Sequence, residues 1–489
     1  MFRRKRSYCI RNLLQIFRNE CGLIWLCLTV FGIFCFTLHI IDILQHSRMN
    51  SSSMNPASKN TFLIQSSLRL QHVKTNNIDN LKITNAPLQM YGKLLQGKLN
   101  SPKSVTGTAE HRGAQNQSFS SFPIKSSCKP QTHIFFLKMH KSASSTVMNS
   151  LFRFGDTQNL TFALPYNGSY QFFYPRYFIA FFIEGFSDYN RTEFNIMCHH
   201  MRFLQSEIQK VMPSDTFYFS IIRNPVHLME SSFDYYKGIP AFRRAKTLDE
   251  FLDQPSKFYN LSDPYSPFSK NIMTFDFGFN NNVKFSVKHA HQNIEIIEAI
   301  FDLVLIAEYF DESMVLLKEA LCWKLDDVVS FPLNSRDKKA RMPLSKNSTE
   351  KIKNWNRLDW ELYIHFNRTF WERIDQTIGR EQMQQEVNKL RKRREELSKT
   401  CLEGGSMVDP KQIKDLSLAP LQFGRAHILG YNLRLGLDEV TKKLCQTLIT
   451  PEIQYTKHLY IKQSLQKTSA LQKYLIANRL VFKRFDTLM

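Results

Sequence analysis

Between His133 and Phe154 the chain changes its hydrophobic repeat within a few residues, and few architectures accommodate that change. His133 to Leu137 is a short apolar run of strand character, whereas Val147, Leu151, Phe152 and Phe154 fall close to a helical stripe. Joining them is Lys138-Met139-His140-Lys141-Ser142-Ala143-Ser144-Ser145-Thr146, a lysine followed by small residues. The pattern predicts strand, loop, helix. At such a junction the first N–H groups of the helix have no internal partner and the helix dipole is positive, so main chain alone can hold an anion. Small side chains let the anion approach, Lys141 adds a mobile charge, and the hydroxyls of Ser142, Ser144, Ser145 and Thr146 add donors. The glycines of the nucleoside-triphosphate loop are missing, and lysine leads the small-residue run instead of closing it. A serine-rich helix cap would share this composition.

Further strand candidates are Leu160 to Leu164, Phe194 to Cys198, Thr216 to Ile222 and Asp302 to Ala307. Helical patterns at Arg202 to Met212, Val226 to Tyr236 and Asp311 to Trp323 separate them. Alternation of this kind predicts an α/β layered fold with a mainly parallel sheet. Ligands of such sheets collect at the carboxyl ends of strands. Beside the Lys141 loop, two clusters fall there: Cys198-His199-His200-Met201-Arg202-Phe203, and Arg223-Asn224-Pro225 with Ser231 on the next helix. Arg223 offers a planar fork to a phosphate, and Ser231 a hydroxyl. His199 and His200 have three readings: metal ligands, core residues, or a base with a pKa near the working pH. Only Cys198 is adjacent as a further ligand, so no metal is expected.

Cys21 to Ile41 holds no charged residue and is long enough to span a bilayer, though short for a thick one, as suits an early secretory or Golgi membrane. Arg3, Arg4, Lys5, Arg6, Arg11 and Arg18 precede it and only Arg48 and Lys59 closely follow, which places the N-terminus in the cytosol and the bulk in the lumen. A cleaved signal peptide would have a shorter apolar run and a small-residue cleavage site. Sequons at Asn50, Asn116, Asn159, Asn167, Asn190, Asn260, Asn347 and Asn367 fit a lumenal body. There Cys128, Cys198, Cys322, Cys401 and Cys445 allow two disulfides with one thiol left over. The expected organisation is a cytosolic tail 1–20, an anchor 21–41, a polar flexible stem 42–127, a catalytic body 128–460 and a tail 461–489.

The formal charge of +22 would in other settings point to nucleic acid, but no zinc-finger spacing or aromatic RNA-binding motif accompanies it. An anionic donor, polyanionic glycans or a solvated surface are the remaining readings. The run Arg391-Lys392-Arg393-Arg394 lies in a polar stretch, Gly379 to Lys399, that reads as an exposed helix. Arg336, Lys338, Lys339 and Arg341, before a helix near Lys351 to Trp371, form either a solvated loop or a cover for the donor. Phe172, Phe173, Tyr174, Tyr235 and Tyr236 are candidates for core packing or for an apolar wall against a sugar.

The ordered set Phe136-Leu137-Lys138-x-His140-Lys141-Ser142-Ala143-Ser144-Ser145-Thr146, Cys198-x-His200-Met201-Arg202-Phe203 and Arg223-Asn224-Pro225 with Ser231-Ser232-Phe233 resembles the galactose 3-O-sulfotransferases. The likeness extends to Phe275-Asp276-Phe277-Gly278, Ala307-Glu308-Tyr309-Phe310-Asp311-Glu312-Ser313, Leu325-Asp326-Asp327-Val328-Val329 and Leu429-Gly430-Tyr431-Asn432-Leu433, across Thr132 to Tyr455. It implies a three-layer P-loop-like sulfotransferase fold and a single-pass type II Golgi enzyme. The implied reaction moves a sulfuryl group from 3'-phosphoadenosine 5'-phosphosulfate (PAPS) to the 3-hydroxyl of terminal β-galactose on glycoprotein or glycolipid glycans. By the same resemblance, Lys141, Ser142, Ala143, Ser144, Ser145 and Thr146 would hold the 5'-phosphosulfate, and Arg223 and Ser231 the 3'-phosphate. His200 would be the base and Lys141 would stabilise charge on the transferred group, with a weaker claim for His199. Met139 and Ser142 stand where the family more often has threonine, and both keep the lysine and the small-residue run. A Golgi glycosyltransferase would share anchor, stem and sequons, but many of those hold a metal-nucleotide through Asp-x-Asp, and no two aspartates here are so spaced. A glycan-binding protein of the same fold is the non-catalytic alternative.

Overall fold

The computed structural model describes residues 128–186, 193–337 and 341–466, all within one compact unit, 82–489. The expected cytosolic tail, membrane anchor and stem lie outside the described residues. So do Asn50, Asn116, Asn190, Lys338, Lys339 and most of the expected C-terminal tail. Among the described residues no helix is long and apolar enough to cross a membrane.

Among the described residues four strands form one parallel sheet: β1 (Ile134–Leu137), β2 (Ile196–Met197), β3 (Phe217–Ile222) and β4 (Leu303–Ile306), in the order β2-β1-β3-β4. Both β1 and β4 are buried along their whole length, as parallel strands covered by helices must be. Phe135 and Phe136 of β1 are fully enclosed, and Phe136 stacks on Phe219 of β3 with ring centroids 4.7 Å apart. Each such side chain contributes about 1.5–3 kcal/mol by burial. After β1 the chain goes to one side to make β2, then returns past β1 to make β3. The β1–β3 edge is therefore the topological switch point, where ligands of open α/β sheets bind.

Three elements carry chain toward that point. Helix α1 (Ser144–Thr157) follows the small-residue loop and is buried over most of its length. A Cβ on Gly155 would come within 2.4 Å of Phe162, so glycine permits the close seat of its last turn. Helix α2 (Pro225–Tyr235) begins directly after β3, with Pro225 in its first turn and the Asn224 side chain accepting from Val226 N–H. Short α3 (Ile272–Asp276) has its first turn held by the buried carboxylate of Asp359, which accepts from Met273 N–H, Thr274 N–H and the Thr274 hydroxyl.

Farther along come α4 (Val287–Ile300), α5 (Phe310–Leu321), α6 (Lys346–Trp355), α7 (Arg357–Thr377), α8 (Arg380–Cys401), α9 (Glu439–Ile449) and α10, residues 452–466. Both α5 and α7 pack against β4. Cys128 pairs with Cys322, at the end of α5, and Cys401 of α8 with Cys445 of α9, while Cys198 is a buried thiol.

Several local expectations change. Leu160 to Leu164 is not a strand: Phe162 makes one isolated bridge to Ile196, because the chain only touches the sheet edge there. The expected strand Phe194 to Cys198 shortens to Ile196–Met197, and the helix over Arg202 to Met212 to Gln205–Ile208. The helix near Lys351 to Trp371 is two helices, α6 and α7, which meet at Asn356. α8 is not simply exposed, since Met383, Val387, Leu390 and Leu397 bury one face. Its basic run is used to dock it: Arg391 and Arg394 bind Asp311 of α5, and Arg393 binds Asp326. α10 also carries ordered chain past Tyr460.

Candidate active site

Lys141 and Ala143 are both left-handed, with φ of 55° and 61°, although neither is glycine. Such residues cost about 1–3 kcal/mol each and persist where the surroundings impose them. Alternate left-handed residues are the backbone device that gathers N–H groups into an anion-binding concavity. The hydroxyls expected to serve an anion are turned inward. Ser142 and Ser144 donate to Met139 C=O at 3.2 and 2.5 Å, Ser145 donates to Glu452 at 2.9 Å, and Thr146 accepts from Leu333 N–H at 3.0 Å. Main-chain N–H groups are then what the loop offers, with hydroxyls holding its shape.

The loop forms one wall of a cavity of about 960 Å³ whose lining includes Lys138, Lys141 to Thr146, His200, Arg223, Ser231, Tyr235 and Tyr236. The structure thus brings together Lys141 to Thr146, Arg223, Ser231 and His200, the main donor and base candidates. Arg223, just past β3, donates to Lys141 C=O at 2.9 Å and lies 4.0 Å from Glu308. This contact ties the end of β3 to the loop after β1. Arg336 and Arg341 also line the cavity, but Arg336 is bound by Glu230 and, at 2.6 Å, by Asp234. Its charge is committed to α2.

Lys141 Nζ stands 3.5 Å from the centroid of the Tyr235 ring. Burial first, then the cations Arg223, Lys138 and Arg336, lower its pKa from 10.5 to about 7, against a smaller opposing effect of Glu452. A crowd of cations that depresses its own members is one that gains by receiving an anion.

His200 donates from Nδ1 to Lys138 C=O at 2.9 Å, which leaves its lone pair on Nε2. Lys138 Nζ lies 2.7 Å from that Nε2 and 3.0 Å from Glu452 Oε2. His140 stacks on His200 with centroids 4.0 Å apart and planes 10° from parallel. Burial, then His140 and Lys138, holds the His200 pKa well below 6.5. His140 in turn binds buried Asp276 through Nδ1 at 2.8 Å, and Tyr174 donates to the other Asp276 oxygen at 2.8 Å. Of the two rings, only His200 lines the cavity. His199 turns the other way: it is fully buried, 3.0 Å from the Thr456 hydroxyl of α10, and burial lowers its pKa to about 3.

Of the aromatic candidates, Tyr235 and Tyr236 line the cavity, while Phe172 is core and Tyr174 is spent on Asp276. Sequence reasoning missed Lys138 as the partner of His200, Asp276 behind His140, and Glu452. Lys138 had a local signal, since it lies two residues before His140 in the same motif. Among the described residues no three His, Cys, Asp or Glu side chains gather as a metal site.

The family described as galactose-3-O-sulfotransferase matches residues 57–463. Galactose-3-O-sulfotransferase 2 of Homo sapiens is 50% identical over 341 residues, 69% of this chain and 85% of that protein. The Mus musculus protein of the same name is 48% identical over 350 residues, 71% of this chain and 89% of the relative. Galactosylceramide sulfotransferase of Homo sapiens is 39% identical over 338 residues, 68% of this chain and 79% of that protein. With the family model matching most of its length and relatives up to 50% identical over two thirds or more of both chains, the chain belongs to the galactose-3-O-sulfotransferase family.

Proposed function

We propose that the chain transfers a sulfuryl group from PAPS to the 3-hydroxyl of non-reducing terminal β-galactose on glycoprotein or glycolipid glycans, as a Golgi enzyme held by the apolar segment Cys21 to Ile41. The observation that carries the reading is that the Lys141 loop and Arg223 with Ser231 line one cavity, with His200 on its wall. Two anion-binding strand ends fit a donor whose 5'-phosphosulfate and 3'-phosphate are separated by a nucleoside.

In the reaction the galactose oxygen forms a bond to sulfur as the bond from sulfur to the bridging phosphate oxygen breaks. His200 Nε2 takes the hydroxyl proton, and adenosine 3',5'-bisphosphate leaves. Lys141 and the loop N–H groups stabilise charge on the leaving oxygen, in the manner of preorganised donors. The direct test gives the full-length chain radiolabelled PAPS and a series of β-galactosides and maps the sulfated position. Sulfate on the galactose 3-hydroxyl is the expected result. No transfer, or transfer only elsewhere, would overturn the reading.

A further inference from the structure

Glu452, at the start of α10, is a carboxylate placed against a loop that would hold an anion. Its Oε2 accepts from Ser145 Oγ at 2.9 Å and from Lys138 Nζ at 3.0 Å, and only 17% of its side chain is exposed. A buried negative charge beside an anion site opposes the ligand and costs desolvation unless it serves a cation. Here the cation is Lys138, itself 2% exposed. That lysine also occupies the one nitrogen of His200 able to accept a proton, at 2.7 Å. An imidazole nitrogen has a single lone pair, so Nε2 cannot take the acceptor proton while Lys138 donates to it.

We propose that Glu452 is a positioning residue for the transfer: anchored by Ser145, its carboxylate tethers the Lys138 ammonium, which caps His200 Nε2 in the anion-free site and turns from it once an anion fills the loop. The inference rests on the sulfuryl-transfer reading above. Lysine suits the task because it is a point charge on a flexible stem with several donors, which can exchange one acceptor while keeping another. The proton that moves is that of the galactose hydroxyl, passed to Nε2 after the cap has left. Glu452 is not among the residues that line the cavity. Its effect reaches the reaction through Lys138.

The test compares the full-length parent with Glu452→Gln and Glu452→Asp by kcat, by KM for PAPS, and by the affinity for adenosine 3',5'-bisphosphate. Glutamine keeps the shape and loses the charge that tethers Lys138, so kcat should fall about a hundredfold, the scale of a misplaced catalytic group. Donor KM and bisphosphate affinity should hold or improve, because a negative charge beside the anion has been removed. Aspartate restores the charge on a shorter stem and should recover at least tenfold of the loss, an estimate on the same footing. A kcat within about twofold of the parent in Glu452→Gln, on that same scale, would overturn the proposal. So would equal losses of kcat and bisphosphate affinity with no recovery by aspartate, since that marks a structural role. If the parent sulfates galactose and His200→Ala does not while Glu452→Gln behaves as parent, this inference alone falls. If the parent transfers nothing, the functional reading falls first.

Discussion

His200 is held in one tautomer by a carbonyl and kept neutral by its surroundings. Replacing it with alanine should lower kcat by about 10²–10⁴-fold, the worth of a positioned base. The affinity for adenosine 3',5'-bisphosphate, measured calorimetrically, should stay near parent. Because its pKa lies well below 6.5, the neutral form persists as pH falls through the range where a free histidine charges. The acid limb of kcat/KM should therefore lie below pH 6.5, and a limb above that value would remove His200 as the base. Lys141 acts at the other end of the pH range: its lowered pKa of about 7 means the anion-free site loses a cation as pH rises past neutrality. Donor affinity should fall above pH 7, approaching tenfold per unit, and binding near pH 8 should take up a proton, visible as a buffer-dependent heat. In Lys141→Ala the affinity should be lower and that proton uptake absent.

At the scale of elements, the site depends on close approaches that only certain residues allow. Gly424 has φ +65°, and a Cβ there would lie 2.2 Å from Tyr235 C=O and 2.8 Å from Asp234 C=O at the end of α2. Gly424→Ala must push that end away, and with it the ring under Lys141. We expect a loss of about 1–3 kcal/mol in stability, read by thermal unfolding, with a raised KM for PAPS. The elements that carry the loop and Arg223 were legible because each announces itself locally: an apolar run, a change of period, and a charged residue at the change. Leu160 to Leu164 misled because its apolar residues alternate while only Phe162 meets a strand. Asp276 and Glu452 could not be read in this way. Asp276 reaches His140 across 136 residues and Glu452 reaches Ser145 across 307, so neither sits in a pattern that names its partner.

At the scale of the whole molecule, among the described residues two cross-links join segments far apart in sequence, by 194 residues for Cys128–Cys322 and by 44 for Cys401–Cys445. The sequence set out which cysteines were available and left their pairing open, since pairing is decided by the packing of α8 on α9 and of the first described residues on α5. Replacing Cys401 and Cys445 with serine should cost about 2–5 kcal/mol, measured as a lowered Tm, with sulfate transfer kept at moderate temperature because neither residue lines the cavity. The docking of α10 bears on how the molecule comes into being. The last strand of the sheet ends at Ile306, and by then the loop, His200 and Arg223 have all been made, but the carboxylate that tethers Lys138 arrives only with residue 452. A chain growing from its N-terminus can assemble its sheet well before it owns a finished site. On the role proposed for Glu452, competence thus comes well after the sheet.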